Sequence, residues 1–213
     1  MNEQQIFRSP EKRGRVAVLL SGRGSNFTAI HDAMIQKKIN ADIVLVFSNK
    51  ADAPGLQTAK ERGLETLYLD PKAFSSRDDY DAAIIDELRK RDVDLVCLAG
   101  YMKIITPLFC RSFRNQIMNI HPALLPSFPG LHAQKQAVDW GVRYSGATVH
   151  FVWEEVDMGP IILQAAVPVL QDDTEETLAD RILEQEHTIY PEAVRLYFEG
   201  KIEIRGRKVY ILD

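Results

Sequence analysis

The chain is expected to form a Rossmann-like α/β fold, a mostly parallel sheet with helices on both faces that becomes mixed at its C-terminal end. Three observations predict this. Short β-branched runs alternate with amphipathic stretches across residues 15–121, the pattern of a βαβ series. These runs are apolar on both faces, as strands of a helix-covered parallel sheet are. Further on, SGATVHFVW and IILQAAVPV are joined only by EEVDMGP, a connection short enough to imply an antiparallel pair.

In order, RVAVLLS is a strand followed by a helix over about 26–37. ADIVLVFS precedes a helix opening at Pro54, and LETLYL precedes one from Asp79 to Arg91. DLVCLA runs to a turn near Pro107, and a short apolar strand spans Gln116 to Ile120. After a proline-rich loop, a helix from Gln134 to Trp140 leads into the two C-terminal strands. Asp173 and Glu176 form a capping arrangement for a long helix that Pro191 can kink, and KIEIRGRKVYILD closes as a hairpin around Arg205 and Gly206.

At 213 residues the chain can bury a substantial core without covalent staples. Cys97 lies in an apolar run and Cys110 beside Phe109, so both are expected as buried thiols of a reducing cytosol. MNEQQIFRSPEKRGR lacks the apolar core of a signal peptide, and no run has the length of a membrane span, so a cytoplasmic protein is expected. The net charge of −4, with Lys and Arg spread along the chain, argues against a nucleic-acid surface. Two cysteines and scattered histidines give no zinc pattern, and no metal is expected.

The most informative stretch is NIHPALLPSFPG, residues 119–130. It sets Asn119 and His121 at the exit of a strand, where ligands collect in open α/β sheets, and Pro122, Pro126 and Pro129 exclude a regular helix behind them. Two residues apart on extended backbone, both side chains leave on one side. An amide that donates and an imidazole that donates or moves a proton suit attack on a carbonyl, although Asn-x-His before proline also serves as a capped turn.

SGRGSN, residues 21–26, follows the first strand with two glycines ahead of a helix N-terminus. It reads either as a monophosphate cradle or as glycines that serve only the turn. A dinucleotide fingerprint would need a small residue in place of Phe27 and an acidic one near Ser48 and Asn49. Asp157, beyond the strand carrying Thr148 and His150, is either part of an acidic turn with Glu154 and Glu155 or a partner that orients His121 and favours its charged form. Glu186 shares a helix face with Ile182, Ile189 and Tyr190, so it needs a partner, whether ligand or protein. His187 is open in the same way; His31 is expected on a helix surface, and His132 capping or packing its loop.

Taken together, SGRGSN, FSNKADAPGL, DLVCLAGYMKII, NIHPALLPSFPGLH, GATVHFV, VDMGPIILQ and QEHTIYP, in that order, resemble the phosphoribosylglycinamide formyltransferases of purine biosynthesis from about Val16 to Glu199. The resemblance implies one formyltransferase domain over 1–213, with a phosphate-binding half at 15–121 and a folate-binding, catalytic half at 122–213. It implies formyl transfer from 10-formyltetrahydrofolate to the amine of glycinamide ribonucleotide, without a metal. Asn119, His121 and Asp157 would be catalytic. Gly24, Ser25 and Asn26 would hold the substrate phosphate and Glu186 its ribose. Arg77, Met102, Lys103, Ile104 and Ile105 would border the folate cleft, with Asn119 in contact and Glu154, Glu155, Val156 and Asp157 closing over the pteridine. Arg23, Lys103 and Met158 stand where some members carry other residues.

The nearest alternative is a formyltetrahydrofolate hydrolase, which shares the Asn, His and Asp set but needs no phosphate loop and usually carries an N-terminal regulatory domain. A methionyl-tRNA formyltransferase would be expected to add an RNA-binding C-terminal domain. A non-catalytic nucleotide-binding module would be satisfied by SGRGSN alone and would leave the other three residues without a purpose.

Overall fold

A computed structural model describes residues 4–5 and 12–213, so most of the N-terminal stretch considered above lies outside the described residues. The elements are β1 (Gln4–Gln5), β2 (Gly14–Leu20), α1 (Ser25–Ile35), β3 (Ala41–Ser48), α2 (Pro54–Glu61), β4 (Thr66–Tyr68), α3 (Arg77–Lys90), β5 (Leu95–Leu98), α4 (Pro107–Ser112), β6 (Ile117–His121), α5 (Ala133–Trp140), β7 (Tyr144–Phe151), β8 (Ile161–Pro168), α6 (Glu175–Phe198), β9 (Ile202–Arg205) and β10 (Lys208–Ile211). The main sheet has the order β4-β3-β2-β5-β6-β7-β8. Its first five strands are parallel, while β7 and β8 run antiparallel to their neighbours, so the expected fold class holds. A small antiparallel sheet, β1-β9-β10, contains the expected terminal hairpin.

Strand alternation divides the core into two layers. Val16, Val18 and Leu20 of β2 pack with Phe27 and Ile30 of α1 and Ile182 and Tyr190 of α6. Ala17 and Leu19 face the other way, with Tyr80, Ile84 and Leu88 of α3 and Phe109 of α4. Cys97 and Cys110 are buried, as expected. Burial raises both thiols, to about 12 for Cys97 and about 11 for Cys110. Tyr190 joins helix to sheet, its hydroxyl donating toward the carbonyls of Leu98 and Met118 at 3.1 and 2.9 Å.

The strand order reverses at β2, between β3 on one side and β5 on the other, which opens a crevice beyond the carboxyl ends of β2 and β5. Ser21 knits the loops around it. Its amide donates to Gly100 O at 3.0 Å, and its hydroxyl accepts from the Met102 amide at 2.8 Å and donates to Asn49 Oδ1 at 2.6 Å.

Four local expectations need correction. The turn near Pro107 is a short helix, α4, with proline at its permitted first turn and Phe109 and Cys110 buried beneath it. Helix α3 begins at Arg77, because the Ser76 hydroxyl caps the Asp79 amide. The capping box of α6 is made by Thr174 and Thr177; Asp173 instead accepts from Leu170, Thr177 and Arg181. His132 occupies the N-cap position of α5 through a left-handed backbone with φ of 57°, not through a side-chain cap. Pro191 lies inside α6, which continues through it.

The turn that returns the chain from β7 to β8 is tight. A Cβ at Gly159 would sit 1.7 Å from Phe151 O, so only glycine fits without moving the backbone. Gly159→Ala is expected to destabilise the fold by about 1–3 kcal/mol, as overpacking typically does. Urea denaturation checks this, and an unchanged midpoint would mean that the turn relaxes freely.

Candidate active site

The site begins with strand register. Asn119 and His121 stand two apart on β6, and the antiparallel pairing sets Asn119 opposite His150 and His121 opposite Thr148 on β7. All four polar side chains therefore leave the same face of the sheet, while Met118, Ile120, Val149 and Phe151 enter the apolar layer on the other. His121, Thr148 and His150 are buried.

Hydrogen bonding fixes the orientation of these groups. The carbonyl of Phe151 can only accept, so His150 Nδ1, 2.9 Å away, carries a proton. Burial pushes the His150 pKa below that of a free imidazole, which keeps the ring neutral and leaves Nε2 as an acceptor. The Asn119 amide donates to that nitrogen at 3.2 Å, which settles which end of the amide is nitrogen. His121 Nε2 donates to Phe128 O at 2.8 Å, leaving Nδ1 toward Asp157, whose Oδ2 is 3.5 Å away. The same Asp157 oxygen accepts the Gly130 amide at 2.8 Å, and Oδ1 lies 3.7 Å from His150 Nε2. Asp157 turns inward from a backbone with φ of 54°, a left-handed conformation that aspartate tolerates better than most residues.

The proline-rich loop is held from below. The Thr148 hydroxyl donates to Ala123 O at 2.6 Å and accepts from Leu125 N at 3.1 Å and Gln164 Nε2 at 2.9 Å, while Gln164 Nε2 also reaches Leu125 O. Residues 122–130 contain no helix, as expected.

Two strands away, α1 opens at Gly24 with φ of 76° and no side-chain cap, so its first amides face outward. A Cβ on Gly24 would meet Leu20 Cδ2 at 3.0 Å and the Gly55 Cα at 3.2 Å, so the glycine serves a close approach of two backbones as well as the turn. Asn26 is buried and donates to Glu186 Oε2 at 2.7 Å, while its own Oδ1 is buried without a partner among the described residues. Burial raises the Glu186 pKa and the Asn26 bond opposes that rise. The partner that Glu186 required is thus an asparagine from the SGRGSN motif.

The remaining residues singled out in the sequence divide into two groups. Met102 and Ile104 are exposed apolar side chains beyond β5, Lys103 lies 5.1 Å over the Tyr80 ring, and Arg77 donates to Ile104 O at 2.8 Å. Ile105 instead packs in the core with Tyr80 and Phe109. In the 152–158 loop, Val156 is exposed and Asp157 points toward His121, but Glu154 and Glu155 line a separate cavity with Arg111, Arg114, Trp153 and Arg207. Sequence reasoning missed Phe128, Gly130 and the orienting role of His150; only the register between β6 and β7 exposes the last. His31, expected on the surface, is half-buried beside Arg62. Among the described residues, no group of three His, Cys, Asp or Glu side chains is arranged to hold a metal ion, and no helix is long and apolar enough to cross a membrane.

Residues 14–194 match the formyl transferase family model. The chain belongs to the formyl transferase family. The chain is 43% identical to the phosphoribosylglycinamide formyltransferase of Escherichia coli, over 92% of each chain. The crystal structure of glycinamide ribonucleotide transformylase 1 from Symbiobacterium toebii shares 51% identity and superposes with a TM-score of 0.94 over 97% of both chains. The trifunctional purine biosynthetic protein adenosine-3 of Drosophila melanogaster is 49% identical over 89% of this chain, which spans 14% of that protein. A formyltetrahydrofolate deformylase from Pseudomonas syringae is similar at 28% identity and a TM-score of 0.87, covering 96% of this chain and 67% of that one.

Two predictions follow from the buried titratable groups. The folded Glu186 carboxyl binds its proton more tightly than the unfolded one, near 4.5, so its charged form disfavours the fold above that range. Glu186→Gln, which keeps an acceptor for Asn26, is therefore expected to raise the melting temperature at about pH 8, the gain fading as pH falls below the unfolded value. A gain that grows on acidification would reverse the sign. For His150 the depressed value means that the ring stays neutral at about pH 6.5, where a free imidazole is half charged; its nitrogen chemical shifts report this directly.

Proposed function

We propose that this formyltransferase moves the formyl group of 10-formyltetrahydrofolate onto the amine of glycinamide ribonucleotide, giving the formylated ribonucleotide and tetrahydrofolate in purine biosynthesis. The observation that carries the reading is the convergence of Asn119, His121 and the Asp157 carboxylate at one strand end.

The neutral amine attacks the formyl carbon, a C–N bond forms and the carbonyl oxygen becomes an oxyanion. Asn119 has a second N–H beyond the one given to His150, and this proton stabilises the oxyanion. His121, protonated at Nδ1 and held by the Phe128 carbonyl on its other side, is the second donor. The Asp157 carboxylate faces that nitrogen from 3.5 Å and orients the ring. A proton then passes from the attacking nitrogen to the folate nitrogen, through Asp157 or a water beside it. Collapse of the intermediate breaks the old C–N bond and releases tetrahydrofolate.

In this reading the 15–121 half carries the ribonucleotide. The amides of Gly24, Ser25 and Asn26 meet the phosphate at the uncapped start of α1, and Glu186 with Asn26 meets the ribose. The 122–213 half supplies the chemistry and closes on the folate through Val156, Asp157 and the backbone at Glu154 and Glu155. Arg77, Met102, Lys103, Ile104 and the backbone at Ile105 form the opposite wall of the cleft. The second reading, hydrolysis of formyltetrahydrofolate, is favoured by the similarity to a deformylase, but leaves the buried Asn26–Glu186 pair without a ligand.

Folate product formation with and without glycinamide ribonucleotide separates the two, since the transferase is silent without the amine. Turnover is expected to survive EDTA, because the amine is itself the nucleophile and the oxyanion's donors are side chains. Loss restored by zinc or magnesium would overturn that mechanism. Asn119→Ala is expected to lower kcat by about 100- to 1,000-fold with substrate affinities nearly unchanged, because the donor is needed most as the oxyanion forms. Asn26→Ala is expected to weaken ribonucleotide binding and spare folate binding, which titration of each ligand checks.

A further inference from the structure

We infer that Asp81, a buried carboxylate outside the reacting groups, is a positioning residue that sets the wall of the folate cleft; the inference rests on the formyl-transfer reading above. Asp81 lies one turn along α3 from Arg77, and the pair addresses a single stretch of loop with opposite polarity. Arg77 donates to the Ile104 carbonyl at 2.8 Å, and Asp81 Oδ2 accepts the Thr106 amide at 2.6 Å. Spaced i and i+4, the two side chains share a helix face, so a rigid helix holds both a carbonyl and an amide of the segment. A third contact comes from Lys103, whose ammonium lies over the Tyr80 ring. Beneath these tethers Ile105 is buried, while Met102 and Ile104 project outward at 67% and 60% exposure.

Residues 101–106 have little regular structure of their own, lying between the end of β5 and the start of α4. Their shape is therefore set by what holds them. Asp81 is 1% exposed, and an unpaired carboxylate so buried would be strongly disfavoured. Burial raises its pKa, while the Thr106 amide and hydroxyl, Lys103 and Arg77 act the other way. The partner amide belongs to Thr106, the N-cap residue of α4, so the same bond fixes where the loop ends and the helix starts. The reaction described above gives Asp81 no chemical task. Its connection to function runs through the position of Met102 and Ile104.

The test is the full chain carrying Asp81→Ala, Asp81→Asn or Thr106→Pro. Asparagine keeps an oxygen acceptor without the charge. Proline removes the donating amide hydrogen together with the Thr106 hydroxyl, at a residue whose φ of −82° lies near the proline range. Asp81→Ala and Thr106→Pro are expected to raise both KM and the titrated Kd for 10-formyltetrahydrofolate by about 10-fold or more, the scale of a lost hydrogen bond to a charged group. The expected kcat and ribonucleotide KM stay within about twofold, and Asp81→Asn recovers most of the folate affinity. Should Asp81→Ala fail to give a wild-type circular dichroism spectrum, Thr106→Pro and Asp81→Asn still decide the matter. Unchanged folate affinity in folded Asp81→Ala or Thr106→Pro overturns the inference, as does an equal loss for both substrates. A wild-type chain without amine-dependent turnover instead removes the formyl-transfer reading, and the folate titration then stands as the test of Asp81.

Discussion

The site depends first on the antiparallel register between β6 and β7. A strand pair shifted by one residue would turn Thr148 and His150 to the apolar face and bring Val149 opposite Asn119. The apolar residues on the far face oppose that slip, since Met118, Ile120, Val149 and Phe151 would lose their places beneath α6. The hydrophobic layer thus specifies the position of the polar one. Because the pairing is antiparallel, β6 and β7 leave the sheet at opposite ends, and the 152–158 loop folds back so that Asp157 meets Gly130 of the 122–130 loop.

Polar groups around the site form a chain in which each orientation follows from its neighbour. The Phe151 carbonyl selects the His150 tautomer, His150 selects the Asn119 amide orientation, and the Phe128 carbonyl selects the proton-bearing nitrogen of His121. None of these choices is available to an exposed side chain, which water can satisfy either way. Burial is the source of the order, and it also makes the charged form of Glu186 oppose the stability of the free protein.

Much of this architecture was legible in the sequence, for identifiable reasons. Short β-branched runs apolar on both faces gave the strands, a short connection gave the antiparallel C-terminal pair, and the proline spacing gave a loop without helix. SGRGSN was legible as a turn before a helix, but its contact with Glu186 spans 160 positions and depends on how α6 lies against α1. His150 was visible only as a residue of a strand, because register between non-adjacent segments is a tertiary property. The capping of α6 was misjudged because Asp and Thr at adjacent positions offer equivalent oxygens, and the dihedral angles of the chain decide between them. The family resemblance brought the three catalytic candidates together before geometry could, while Asp81 carried no motif that would distinguish it from any acidic residue on a helix.

The bond from the Gly130 amide to Asp157 Oδ2 crosses between the two loops that face each other over the site. Each loop belongs to a different strand end, yet neither can swing away without giving up this contact. Separating the two loops would therefore expose the Asp157 carboxylate and the peptide group of Gly130 together. Exchange of that single backbone proton with solvent would report such a separation.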